Sequence, residues 1–386
     1  MRAVGIVGVG MLKFDRYAEK SVAELAGEAA LLALKDAGLS MRNVHLLVAG
    51  NVLLSHSLLG QLVQEQLGMV GTPVINVSNL CATGSTVFWQ AHLAVASGMY
   101  DVVLAVAAEQ LGKMGPVATF FDDEAVAKKG PEYAVTGVSG SLQTPVLMGL
   151  AGLVYMRRYG LTFEQLAKIA ARNHRHSTLN PYCQYQKALS LEEIMNARMV
   201  AYPNTLYMCA PTGDGAAAVV LAPWSQARRY ASRPVKVAAA ALSSSAWAPE
   251  RDGWLLDAEG QTRAAAQEAY RRAGLGPEDL DLMEIHDAFT SLEPWIYQGV
   301  GLCAEGEAGD LIESGRTDLG GDRPVNVSGG LVSKGHPFAV TGLANVVELA
   351  WQLRGEAGAR QIEGAKAVLG HVFAPGFACG VHILQR

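Results

Sequence analysis

Two segments of the sequence share an opening, and each then presents a reactive side chain. Asn76-Val77-Ser78 runs into Asn79-Leu80-Cys81-Ala82-Thr83-Gly84-Ser85. Asn326-Val327-Ser328 runs into Gly329-Gly330-Leu331-Val332-Ser333-Lys334-Gly335-His336-Pro337. In both, an extended stretch meets a tight polar turn and then an apolar helix. A thiol and an imidazole at corresponding points of two half-molecules read as nucleophile and base. A third group, His286, follows the apolar Met283-Glu284-Ile285 and opens His286-Asp287-Ala288-Phe289. That position, at the carboxyl end of a core strand, is where α/β sites gather. From there His286 could donate a hydrogen bond to a thioester oxygen that becomes an oxyanion. Asp287 reads as the residue that fixes the local turn.

Cys81 is predicted in the first turn of its helix, where backbone N–H groups and the macrodipole favour a thiolate. An ordinary thiol, with a pKa of about 8.5, is mostly protonated at neutral pH, so such activation is needed. His336 is followed by Pro337, read as a first helical residue. A helix N-terminus disfavours imidazolium and keeps a neutral base available. Cys183, Cys209, Cys303 and Cys379 are assigned to structure. His174 and His176 lie on a polar stretch and are expected to be solvated. Gly329, Gly330 and Gly335 allow close backbone approach to a ligand. The sequence has no HExxH, no P-loop and no strand–GxGxxG–helix unit. The five cysteines occur singly, with no CxxC pair, which argues against zinc, iron–sulfur and a disulfide framework. Neither a metal nor a tightly bound cofactor is expected.

The elements that must position these groups also repeat. Ala33-Leu34-Lys35-Asp36-Ala37-Gly38-Leu39 precedes the apolar Val44 to Gly50. Ala269-Tyr270-Arg271-Arg272-Ala273-Gly274-Leu275 precedes Leu280 to His286. Each reads as an amphipathic helix ended by a C′ glycine, then a short buried strand. The glycines are 236 residues apart (274 − 38) and the asparagines 250 (326 − 76). Similar offsets in the same order indicate two copies of one unit. An all-round apolar helix is predicted over Thr86 to Ser97, and buried strands over Val102 to Ala108 and Ala367 to Gly370. A helix is predicted from Pro337 through Arg354. Strands at Ala216 to Leu221 and Gly380 to Leu384 are expected to close the two halves. The expected division is 1–112 and 200–232 for the first core half, 113–199 for an inserted loop domain, and 233–386 for the second half. The insert carries helix-like Phe163 to Ala171, and as a cap over the site it would suit a long, flexible acyl carrier.

Composition agrees with a large buried α/β core. Charged residues are 17% of the chain, against about 25% in a typical soluble protein. Hydrophobic residues make up 50% and there are 42 glycines. The net charge of −5, with no basic tract, argues against nucleic acid or an anionic membrane surface as partner. No apolar run approaches the roughly 20 residues of a membrane span, and Ala3 to Val9 enters a strand at once, leaving no room for a cleaved signal. The expectation is a cytoplasmic protein.

Taken together, these segments resemble the thiolase family, and within it the sterol carrier protein X-type thiolases. The resemblance rests on Asn79 to Ser85, Asn173-His174-Arg175-His176-Ser177 with Asn180-Pro181-Tyr182, Pro211 to Ala217, His286-Asp287-Ala288-Phe289, and Gly329 to Gly342. It covers nearly the whole chain. It implies an α/β thiolase fold, a duplicated five-layer αβαβα core with the inserted loop domain, assembled as a homodimer or tetramer. Acyl-CoA would be the substrate and Cys81 the acyl acceptor. By the same resemblance His336 would activate Cys81 and, with His286, hold the thioester oxygen. The amide of Cys81 and one near Ala374 would form a second oxyanion hole. This chain departs from the pattern at the second, acid/base cysteine. The subfamily carries it in the HDxF motif, where Ala288 stands here; ordinary thiolases carry it in a C-terminal CxG motif, where Val372 aligns. Cys379 falls about seven residues later. What remains is Cys-His-His, similar to condensing enzymes that generate their carbanion by decarboxylation. The animal relatives' C-terminal sterol-carrier domain is not matched before the chain stops at Arg386.

The expected activity is acyl transfer from acyl-CoA through Cys81 to an acceptor, most simply in thiolysis or Claisen condensation. Decarboxylative condensation and transfer to oxygen or nitrogen are alternatives. A further one is an acyl-CoA- or lipid-binding thiolase-like subunit that is active only with a partner, such as a small zinc-ribbon/OB-fold protein.

Overall fold

The computed structural model describes residues 1–112, 143–246 and 257–386. The part of the expected loop domain at 113–142 lies outside the described residues.

The strands are β1 (Val4–Met11), β2 (Leu46–Gly50), β3 (Val74–Val77), β4 (Val103–Gln110), the small hairpin β5 (Met199–Ala201) and β6 (Asn204–Thr205), β7 (Asp214–Pro223), β8 (Val235–Ser244), β9 (Leu282–Glu284), β10 (Ala367–Ala374) and β11 (Ala378–Gln385). Apart from the hairpin they form one nine-stranded sheet in the order β3-β2-β4-β7-β1-β8-β11-β10-β9. Read outward from the central β1–β8 contact, the two sides repeat. β1, β7, β4 and β2 correspond to β8, β11, β10 and β9, with the same parallel and antiparallel relations. β3 pairs in parallel with β2. Its counterpart is reduced to a parallel bridge between Met283 and Val325.

Long runs of Val, Ala and Leu make β1, β4, β7 and β10 buried at every residue. Strands of this kind need cover on both faces. Helix α1 (Val22–Asp36) packs on the first side and α8, here Ala258–Ala273, on the second. Between the two sides lie α3 (Thr83–Ala96) and α12 (Thr341–Arg354), each touching strands of both halves. The remaining helices, in chain order, are α2 (Leu59–Leu67), α4 (Gln143–Tyr159), α5 (Phe163–Ser177), α6 (Leu191–Met195), α7 (Trp224–Ala227), α9 (Glu293–Val300), α10 (Ala308–Glu313) and α11 (Gly330–Lys334). The result is the αβαβα layering of the duplicated core. C′ glycines close α1 and α8 as predicted: Gly38 and Gly274 adopt φ of 64° and 68°.

The central helices meet through glycine. A Cβ on Gly84 would lie 2.7 Å from both Ala339 O and Leu343 N, and one on Gly342 would run into the backbone of Ser85. The two helix starts therefore touch backbone to backbone, directly below Cys81 and His336.

Three local expectations are corrected. Helix α5 continues past Ala171 to Ser177. The polar stretch is thus helical, and its inward face buries His174 and His176, each 2% exposed, rather than leaving them in solvent. Helix α12 begins at Thr341, not Pro337; the amide of Val340 closes a turn onto Pro337 O at 2.9 Å. Helix α3 begins at Thr83, so Cys81 stands just ahead of the helix rather than in its first turn. No helix among the described residues is long and apolar enough to cross a membrane.

Candidate active site

Cys81 sits in a turn built by local polar groups. Leu80 is held at φ 47°. Thr83 Oγ1 accepts from the Asn79 amide at 2.7 Å and donates to Leu80 O at 2.6 Å. Asn79 Nδ2 donates to Thr86 Oγ1 at 3.0 Å. This side chain set turns β3 into α3 with the thiol on the inside of the bend.

His336 approaches from the second half. Its Nε2 lies 3.3 Å from Cys81 Sγ, and its Nδ1 lies 2.8 Å from Thr341 Oγ1. The His286 ring stands 5.0 Å from that of His336, at 79°. Cys81 Sγ and a nitrogen of each imidazole all lie within 4.8 Å of one another. Ala374 packs in a small cluster with Ala82, against which Leu80, Cys81 and Phe377 rest. The structure therefore brings together Cys81, His336, His286 and Ala374, the four residues singled out from the sequence.

The electrostatics differ from the sequence expectation in one respect. Cys81 keeps some exposed surface, yet burial of the thiol pushes it up to about 12, with Glu109 adding to the rise. The resting group is a thiol, not a thiolate. Burial, reinforced by the neighbouring His286, holds His336 well below its usual value, and burial brings His286 down to about 3. The resting pair is thus neutral. In such a neutral pair, an S–H directed at His336 Nε2 would leave the ring proton on Nδ1, facing Thr341 Oγ1.

Behind the imidazoles lies a buried support. The His286 amide donates to His371 Nδ1 at 3.3 Å, and His371 Nε2 meets Thr262 Oγ1 at 2.9 Å. Asp287 does fix its turn: it accepts from the Leu331 amide at 2.6 Å and from Asn173 Nδ2 at 2.7 Å. Asn326, at φ 52°, accepts from the Ile285 amide through Oδ1 at 2.8 Å, and its carbonyl meets His176 Nδ1 at 3.1 Å. Lys334 Nζ donates to Ser328 Oγ at 2.8 Å beside the buried Glu284. Under Cys81, Glu109 accepts from the amides of Val52 and Leu53 and from Asn51, while burial lifts it to about 7. Sequence reasoning passed over His371 and Glu109. The signal was available, since His371 is the lone polar residue of the buried β10, and Glu109, with Gln110, ends the otherwise apolar β4.

Ala288 is 7% exposed and Val372 1%, so neither position expected from the resemblance to hold the acid/base group offers an ionisable side chain. Cys379 pairs with Phe373 in the β10–β11 ladder, fully buried, with its thiol pushed up to about 12. Cys209 bridges to Phe289 and its Sγ donates to Thr205 O at 3.2 Å.

Residues 4–193 match the thiolase N-terminal domain and residues 251–385 the thiolase C-terminal domain-like family. The chain belongs to the thiolase family. Sterol carrier protein 2 of Bos taurus is 39% identical over 391 residues, 99% of this chain and 72% of that protein. An acetyl-CoA acetyltransferase of Methanothermobacter thermautotrophicus is 36% identical across the full length of both chains. Among solved structures, the Ltp2-ChsH2(DUF35) aldolase aligns with a TM-score of 0.86 at 27% identity, over 99% of this chain and 97% of that one. With the Cys-His-His set in place, this member of the thiolase family is an acyl-CoA acyltransferase.

Proposed function

We propose that the chain takes an acyl group from a CoA thioester onto Cys81 and passes it to an acceptor, with carbon–carbon bond formation or cleavage as the transfer step. The observation that carries this reading is the 3.3 Å contact between Cys81 Sγ and His336 Nε2, with His286 beside it. The thiol attacks the thioester carbonyl as His336 Nε2 takes its proton, and the thiolate of CoA leaves. The proton on His336 and a hydrogen bond from His286 hold the thioester oxygen, and the amides of Cys81 and a residue near Ala374 form a second oxyanion hole. The described part of the insert, 143–199, covers the acyl carrier, and the chain works as a homodimer or tetramer.

The methyl of Ala288 and the isopropyl of Val372 have neither an ionisable proton nor a lone pair to accept one. A positioned general base contributes about 10²–10⁴-fold, so direct removal of an α-proton from acetyl-CoA is disfavoured. A decarboxylating donor, or an oxygen or nitrogen acceptor, needs no such group. A second reading is that the chain is completed by a small zinc-ribbon/OB-fold partner. It is favoured by the likeness to the Ltp2-ChsH2(DUF35) aldolase.

The test is intact mass after incubation with acetyl-CoA and longer acyl-CoAs, beside Cys81→Ala. An adduct absent from the variant supports acyl transfer, and its preferred chain length names the substrate. No adduct from any thioester, with an adduct appearing once a DUF35-type protein is added, supports the second reading.

A further inference from the structure

The donor set at the site is also that of a metal centre. We propose that Cys81, His286 and His336 bind one zinc ion, which switches the enzyme off by capturing its nucleophile. The sequence hides this set, because its members are 205 and 50 residues apart in the chain (286 − 81 and 336 − 286). Only the meeting of the two halves assembles it.

Zinc with one sulfur and two imidazole ligands takes bonds of about 2.3 Å and 2.0–2.1 Å in tetrahedral geometry, which sets the donors roughly 3.3–3.6 Å apart. Cys81 Sγ and His336 Nε2 already stand at 3.3 Å. The full set lies within 4.8 Å, so the widest separation closes by about 1 Å, within reach of a small rotation of the side chains. The set is chemically ready as well. Each ring, when neutral, offers a nitrogen lone pair. His336 is oriented through Nδ1 to Thr341 Oγ1, the outer hydrogen bond that fixes which nitrogen a histidine turns to a metal. One sulfur and two imidazoles suit a borderline-soft ion and not calcium or magnesium. Three protein ligands leave a fourth position for water.

Binding exchanges a proton for the ion: Cys81–SH and Zn²⁺ give a zinc-bound thiolate and H⁺, with no change of oxidation state. The proton leaves to solvent, since a metal-bound thiol is deprotonated outright. In the zinc-bound state the thiolate pair is committed to the metal and His336 has no lone pair for a proton, so acylation stops.

The experiment titrates the purified protein with Co²⁺, a spectroscopic stand-in, and with Zn²⁺ by calorimetry in buffers of differing ionisation enthalpy. The expected result is one ion per chain, a thiolate-to-cobalt charge-transfer band, and about one proton released. Cys81→Ala loses the band, and His286→Asn binds at least 10-fold more weakly. Wild-type protein alkylated at Cys81 with iodoacetamide, which needs no refolding, also loses it, and Zn²⁺ slows that alkylation until EDTA is added. Absence of the band, or equal binding after alkylation, overturns the proposal. Inhibition rests on Cys81 being the acyl acceptor, but binding does not. A cobalt band without any acyl adduct therefore rejects acyl transfer and leaves the metal site standing.

Discussion

The two arms that meet at the site repeat one pattern but are supported in opposite ways. From Val74 to Cys81 every residue is half-buried or exposed, and Asn76 makes its hydrogen bonds near the surface to the Gly60 amide and Gln61. From Pro324 to Pro337 every residue is buried, and the matching Asn326 is locked to the Ile285 amide and His176. Cys81, the proposed nucleophile, would have to meet an incoming carrier and exchange a proton for an acyl group, and it stands on a turn that keeps some exposure. The proposed base, His336, needs no such access, and a buried polar lattice of Asn173, Asp287, Ser328 and Lys334 braces its arm. Duplication supplied two equal mounts, and burial made one of them rigid.

This contrast can be broken by substitution. Replacing Cys81 with Ala should abolish the acyl adduct and lower turnover on the order of 10⁴–10⁶-fold, as loss of a covalent nucleophile does, while leaving the melting temperature nearly unchanged. The two asparagines give a sharper comparison. Asn326→Ala places alanine at φ 52° and strands the buried Ile285 amide. That should cost roughly 2–4 kcal/mol, whereas Asn76→Ala should cost less than about 1 kcal/mol. Equal losses in denaturant titrations would refute the claim that the arms differ in rigidity.

Acid should act mainly on the base side. Burial brings His176, His286 and His382 down to about 3 and His92 to about 4, and lowers His174, His336 and His371 as well. These folded values lie below the unfolded value near 6.5, so the unfolded chain binds more protons. Their contribution to stability is complete above about pH 6.5 and is lost as pH falls towards the folded values. Glu109, Glu284 and Asp287, raised by burial, act in the opposite sense between about pH 4 and 7, but they are fewer. Denaturation midpoints should fall from pH 7 to pH 5; a midpoint that rises over that interval would contradict the sign. The smallest effect is expected from Thr341→Val, which removes the partner of His336 Nδ1. A lost hydrogen bond of about 0.5–1.5 kcal/mol should slow acylation by roughly 2- to 10-fold, with KM for the thioester unchanged.

Much of this was legible in the residues themselves. Cys81 and His336 follow matched Asn-Val-Ser openings, His286 ends an apolar run, and the Ala-Gly-Leu helix ends mark the two copies. The resting charge of Cys81 was not legible. A position near a helix start argues for a thiolate, whereas the enclosure that raises the thiol comes from Ala374, Phe377 and the second-half imidazoles, all remote in sequence. His174 and His176 were misplaced for a related reason. A run of Asn, His, Arg and Ser reads as a solvated end, yet the helix continues and one face of it becomes the wall that supports Asn326. The zinc-type donor set escaped because ligand searches in sequence look for short spacings.

The glycine contact between the two central helices has a wider consequence. The separation of thiol and imidazole is gauged by main chain touching main chain at Gly84 and Gly342, not by the side chains of the surrounding core. The apolar residues of that core can then be exchanged over evolutionary time, altering how well the protein holds together, without retuning the distance on which its chemistry depends. Two hydrogen atoms in place of two methyl groups separate what is free to drift in this molecule from what is not.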